Sequence, residues 1–359
     1  MKFRCGGLCA AFITILALGG CGSTNASGAK FVYVINDDPG SVSAYTMDPR
    51  SGVLTAVAGS PFPAGNGPVG TAIVPNGKFA YVSNRRSNDL SVYAIDANSG
   101  ALTPVAGAPF KAPGFPHGVT IDPSGRFAYV PNYEGGNISA YAIDQRSGGL
   151  TPVKGSPFEA GRLPYSITIN PNGKLAYVTN YGSGDVWAYS IDMRNGGLTP
   201  VEGSAFKAER GPGGMAIDPN GRFAYVTNYE SGNISGYAVN SQNGALTPVE
   251  GSPFKAVRGP TAIAISSDGK FAYVTDEGVL AYAINARSGA LTLVRGSPFK
   301  AGGSPGSVAI DPTGKFAYIG NVWTDDVSAY TVDERSGALT PVPGSPFKTG
   351  TGPRKIAFR

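Results

Sequence analysis

A single histidine, His117, stands in the 359 residues, at a position whose identity changes along an otherwise regular chain. Imidazole is the side chain that exchanges protons most readily near neutral pH, so its setting decides what acid–base chemistry the protein can do. His117 follows a proline that recurs throughout the chain, and the residue after that proline reads Val69, His117, Tyr165, Gly213, Thr261, Gly306 and Arg354. Two residues before the same proline come Asn66, Gly114, Arg162, Arg210, Arg258, Gly303 and Thr351. Three successive copies thus present an arginine at one level, an arc suited to a carboxylate or phosphate because guanidinium offers a two-pronged donor. Tyr165, Arg210 and Arg258 are the ligand-binding candidates beside His117, Arg162 and Arg354.

The element that must position these residues is a repeat. Tyr33, Tyr81, Tyr129, Tyr177, Tyr225, Tyr273 and Tyr318 lie 48 residues apart five times and 45 apart once, the size of a four-stranded propeller blade. In residues 114–158 the expected strands are 118–121, 126–130, 137–143 and 150–153, with turns at Pro123–Gly125 and Arg146–Gly148. Phe127 and Tyr129 face one side of the second strand and Ala128 and Val130 the other, so both faces are apolar and need cover. Blades stacked in a ring supply that cover. Pro104, Pro152, Pro200, Pro248 and Pro341 place the fourth strand at the outer edge, because proline cannot donate to a ladder. The fold class is all-β: a seven-bladed β-propeller of four antiparallel strands per blade. The first copy starts at its second strand, Phe31–Val34, and residues 352–358 match a first strand alone, so the C-terminus should complete the N-terminal blade. With the first strand innermost, the varied residues ring the channel mouth. The Asn ladder of Asn36, Asn84, Asn132, Asn180, Asn228 and Asn321 is expected to cap the second strand by bonding nearby backbone.

Ahead of the ring, residues 1–20 read as a secretory signal: Lys2 and Arg4, an apolar run, then Leu18-Gly19-Gly20-Cys21. That tetrad resembles the lipobox of bacterial lipoproteins, which implies lipidation of Cys21, with 21–29 as a flexible tether and 30–359 as the propeller. In a Gram-negative cell, Gly22 rather than Asp after the cysteine resembles the pattern sorted to the outer membrane. The membrane, through the lipid, is one expected partner, and the ring is expected to be a monomer in the periplasm or at the cell surface. Cys5 and Cys9 leave with the signal, so the folded part has no thiol for a disulfide, and one histidine cannot build a His or Cys metal cluster. No cofactor and no metal are expected; only a carboxylate and carbonyl site for calcium stays open. The net charge of +5 comes without a basic run, which argues against nucleic acid. No Gly-x-Ser-x-Gly elbow and no phosphate loop occur.

Tyr-Val-Thr-Asn at 177–180 and 225–228, the recurring Pro-x-Gly-Lys/Arg-Phe-Ala-Tyr-Val, and residues 132–139 resemble the seven-bladed propellers of the YVTN and lactonase-like superfamily over residues 31–359. The superfamily includes propeller-type 6-phosphogluconolactonases and carboxymuconate cyclases. Pro116-His117 is similar to a Pro-His found at this place in lactonase members, beside arginine near the channel mouth. The resemblance implies His117, with Arg162 and Arg354 by neighbourhood, as a catalytic set. Lactonase members carry several channel histidines and less regular blades. The reading placed first is therefore an envelope binding module for a small anionic ligand or an envelope protein, with its site at the channel mouth. Second comes a lactone hydrolase with His117 as general base and Arg354 or Arg162 stabilising the oxyanion, and third a purely structural surface repeat.

Overall fold

The computed structural model describes residues 30–359; the signal, Cys21 and the tether fall outside the described residues. Seven antiparallel sheets follow one another along the chain. In a representative blade Pro164–Ile169 pairs with Leu175–Asn180, which pairs with Asp185–Ile191, which pairs with Leu198–Pro200. The first strands of neighbouring blades touch around the ring and line its channel. The second strand is buried along its whole length in six blades and up to Asp37 in the N-terminal one, and seven apolar clusters lie between adjacent blades.

Six of the seven sheets carry a short fifth strand beyond the four expected. The outer strand covers only the second half of the third: Leu198–Pro200 opposes Tyr189, Ser190 and Ile191. This leaves Asp185 and Val186 with open backbone groups, and Phe206–Lys207 returns to pair with them. An edge half-covered by a proline-bearing strand is thereby closed.

Tyrosines stitch the blades together in both directions. Each of the seven second-strand tyrosines donates to a glycine carbonyl of the next blade: Tyr81 to Gly148 at 2.8 Å, Tyr129 to Gly196 at 3.0 Å, and finally Tyr318 to Gly52 at 2.7 Å, which closes the circle. Each of the seven third-strand tyrosines donates to a carbonyl of the preceding blade, as Tyr141 does to Lys111 at 2.8 Å. The receiving turn requires glycine. Gly148 has φ of 75°, and a Cβ there would meet Phe79 Cδ1 at 2.6 Å. We expect Gly148→Ala to destabilise the ring by about 2–4 kcal/mol, combining backbone strain and overpacking. A urea midpoint within error of the parent would contradict this packing.

The C-terminal strand Thr351–Phe358 takes the first-strand place in the N-terminal blade, pairing with Phe31–Asp38 from Val32↔Phe358 to Asp38↔Thr351. The Asn ladder differs from expectation, because its Nδ2 groups bond side chains rather than backbone. Asn132 reaches Asn137 Oδ1 at 2.7 Å and Ser139 Oγ at 2.8 Å, and Asn84 reaches Asp89 and Ser91 likewise. The backbone of the second strand is already committed to its ladders, so the buried amide turns to the third-strand side chains five and seven residues on.

Candidate functional site

All seven residues that follow the recurring proline reach the channel mouth. Six of them line a cavity of about 350 Å³ running down the inner strands, and Gly213 lines a second cavity of about 360 Å³ opening above it. His117, Tyr165 and Thr261 belong to both and form the partition between them.

The inner strand that carries His117 is the most irregular in the ring. Only Thr120–Ile121 joins the ladder, with a lone bridge from Pro116 to Asn132 above it. The His117 backbone N–H donates to the Pro131 carbonyl at 2.9 Å, and Nδ1 lies 3.1 Å from the Tyr165 carbonyl of the next blade. A carbonyl only accepts, so this contact assigns the proton to Nδ1 and leaves a lone pair on Nε2. Among the described residues no protein group bonds Nε2. The imidazole packs 4.0 Å from the Tyr165 ring and 5.5 Å from that of Tyr133. Enclosure by the ring pushes its pKa down to about 4; the Tyr165 carbonyl opposes this, and Arg85, Arg354 and Lys355 add to it. At neutral pH His117 is therefore an uncharged base.

A cationic cluster faces it, built on the nearly buried Asp37. The Asp37 carboxylate receives Arg354 through Nη2 at 2.7 Å and Nε at 3.2 Å, Arg85 at 3.3 Å, and Arg86 at 3.3 Å. Three guanidiniums around one carboxylate leave the cluster positive. Arg354 spends two of its nitrogens on Asp37 Oδ2, which fixes the guanidinium at the cavity wall while Nη1 stays free of protein acceptors among the described residues. Lys355 lines the same cavity, exposed to the channel yet ringed by protein, and that enclosure pushes its pKa below the ordinary lysine value.

The expected residues separate into two groups. His117, Tyr165 and Arg354 converge on one cavity. Arg162, Arg210 and Arg258 lie on the outer lip, exposed, and line neither of the two cavities. Arg162 bonds the Gly182 carbonyl of its own blade, Arg210 takes Ser231 Oγ on its backbone N–H at 2.9 Å, and Arg258 pairs with Glu277 at 3.2 Å in solvent. The register of the turn explains the division. The residue after the proline enters the inner strand, whereas the one two before it stays in the turn outside it, ahead of a left-handed residue for Arg162 and Arg210 (Leu163 at φ 53°, Gly211 at 68°).

Asp37, Arg85, Tyr133, Tyr181 and Tyr229 escaped the sequence reading. They occupy one repeat position, the residue after the ladder Asn, which reads Asp37, Arg85, Tyr133, Tyr181, Tyr229, Glu277 and Val322. That column varies as much as the one holding His117, and this was the available signal.

Comparison with known proteins agrees with the ring. A family model described as lactonase, 7-bladed beta-propeller matches residues 26–163 and 164–351. No curated protein matches in sequence. Among solved structures, a Bacteroides uniformis protein provisionally described as a 6-phosphogluconolactonase superposes with a TM-score of 0.78 at 21% identity, covering 92% of this chain and 99% of its own. A Bacteroides fragilis protein given the same provisional description has a TM-score of 0.77 at 23% identity, with 94% and 99% covered. The periplasmic gluconolactonase of Pseudomonas aeruginosa has a TM-score of 0.75 at 21% identity, with 92% and 99% covered. At these identities the likeness concerns the fold.

Proposed function

Taking as premise that the chain belongs to the seven-bladed β-propeller lactonase family, we propose that it hydrolyses a lactone at the channel mouth, with His117 as general base. The observation that carries this reading is a neutral imidazole, its tautomer held by the Tyr165 carbonyl, whose free Nε2 shares a cavity wall with Arg354.

In the proposed step a water attacks the lactone carbonyl carbon and gives its proton to His117 Nε2. The charge that develops on the carbonyl oxygen meets the positive side of the mouth, where Arg354 and Lys355 line the wall. The ring C–O bond then breaks, and the imidazolium returns the proton to the departing oxygen, leaving a hydroxy acid. A base of pKa about 4 takes the proton reluctantly, but its conjugate acid protonates the leaving oxygen readily. The cationic cluster serves both ends of the step: it lowers the imidazole pKa and stabilises the oxyanion. The reading as an envelope binding module draws on the same mouth, but family membership and the fixed tautomer favour turnover.

Purified protein assayed against a panel of five- and six-membered lactones tests this. Turnover above the spontaneous rate is expected, constant from about pH 6 to pH 7.5 and falling as pH drops through about 4, where His117 gains its proton. Absence of turnover across the panel would sink the proposal, and an optimum below pH 4 would remove His117 from it.

We place the protein on a membrane through lipid at Cys21. Lys30, where the described chain begins, lies with Asn76, Gly77 and Arg359 around a cavity at the far end of the inner strands from His117. A tether leaving there would turn the mouth away from the bilayer.

A further inference from the structure

The protein has eighteen tyrosines, and fourteen of them are the inter-blade stitches described above. The remaining four are Tyr133, Tyr165, Tyr181 and Tyr229, and all four line the upper cavity together with Phe115 and Arg85. Three of the rings form a connected array with Phe115, and Tyr229 lines the cavity beside them: Tyr133 lies 6.4 Å from Tyr165 at a steep angle, Tyr165 stacks 6.0 Å from Tyr181, and Phe115 sits 6.3 Å from Tyr133. None of the hydroxyls of Tyr133, Tyr165 and Tyr229 bonds a protein group among the described residues, whereas every stitching hydroxyl does. Tyr229 is half exposed. Core packing does not account for an aromatic array that is open to solvent and left with unused donors.

Backbone strain points the same way. The residue before the recurring proline is left-handed in several blades, and Gly67, Gly211 and Gly352 hold it at φ of 65°, 68° and 65°. Phe115 adopts φ of 65° at that place, a conformation costly for a bulky side chain, and thereby sets its ring in the cup with the Arg85 guanidinium 5.8 Å from its centroid.

We infer that the aromatic cup binds a pyranose ring, so that the substrate is a sugar lactone carrying a further sugar residue. The lactone ring would occupy the mouth at His117, and the attached sugar would lie above the partition. A pyranose offers faces of C–H bonds, which the negative faces of tyrosine rings attract, and a rim of hydroxyls, which phenol and guanidinium edges can bond. The cup volume of about 360 Å³ falls within the range of about 300–1,000 Å³ for small-molecule sites. This inference rests on the hydrolase reading for the lactone part alone.

The test uses purified full-length protein with three probes: glucono-1,5-lactone, the same lactone bearing a glucose at its 4-position, and the aryl lactone dihydrocoumarin. Calorimetry with the ring-opened disaccharide acid runs in parallel. The disaccharide lactone should exceed glucono-1,5-lactone in kcat/KM by about 10-fold, the scale of added aromatic contacts. That ratio should fall toward one in Tyr229→Ala and in Phe115→Gly, and persist in Tyr229→Phe. Phe115→Gly installs the residue that four other blades carry at this position, so it is expected to fold. A ratio of one in the parent, a ratio indifferent to both variants, or highest kcat/KM for dihydrocoumarin would overturn the inference. If no lactone is turned over, the hydrolase reading fails by itself and calorimetry decides the cup. Binding of the disaccharide acid weakened about 5-fold or more by Tyr229→Ala supports it, and no binding overturns it.

Discussion

His117→Ala is expected to lower kcat for lactone hydrolysis by about 10²–10⁴-fold, the usual contribution of a positioned acid–base group, with KM little changed. The loss should fall on kcat because the Asp37 cluster, which faces the developing oxyanion, makes its bonds without the imidazole, and the cavity walls that bind the substrate stay in place. Folding should survive: the His117 ring is part-exposed to the cavity and its one protein hydrogen bond goes to a main-chain carbonyl. A melting curve close to the parent, alongside the lost turnover, would assign the effect to chemistry. Retention of more than about a tenth of kcat would remove His117 as the base.

Deleting residues 351–359 is expected to lower the melting temperature by more than about 10 °C. The strand removed supplies the whole inner edge of the N-terminal blade, buries Ile356, and sets Phe358 against Tyr318 of the neighbouring blade at 5.7 Å. Its loss opens the backbone of Phe31–Asp38 at the one seam where the ring is not covalently continuous. Burial and ladder bonds together make this about 5 kcal/mol or more, at roughly 2 °C per kcal/mol for a chain of this size. Ile356→Ala in the intact chain gives a smaller step in the same direction, about 2–4 kcal/mol. An unchanged melt in both variants would mean that the seam does not hold the ring.

Much of the architecture could be read from the sequence because the repeat makes seven independent statements of one pattern. The period of the tyrosines, the two-faced apolar second strand and the outer-strand prolines each follow from burial or from a missing donor, and each recurs in the structure. Strand closure was legible for the same reason, since residues 352–358 match only one element. The site was legible in part. The column holding His117, Tyr165 and Arg354 was found because its members differ, and it proves to line the channel. The column holding Asp37, Arg85 and the three cup tyrosines differs as strongly, but it adjoins the invariant-looking Asn ladder and was absorbed into it as structure. The arc of Arg162, Arg210 and Arg258 shows the opposite problem. Its residues share a level around the ring, but a level does not reveal whether a side chain points into the channel or away from it, and all three stand in the exposed turn ahead of the inner strand.

A protein with one histidine allows its imidazole to be observed alone, and a long-range nitrogen–proton NMR spectrum of His117, with and without gluconate as a product-like hydroxy acid, tests the proposed base most directly. We expect this role to show as a protonated Nδ1 and an unprotonated Nε2 at pH 7, conversion to imidazolium only near pH 4, and a shift of the Nε2 resonance when gluconate is added. A proton on Nε2 at neutral pH, an ordinary titration near 6.5, or an Nε2 resonance indifferent to gluconate would contradict it.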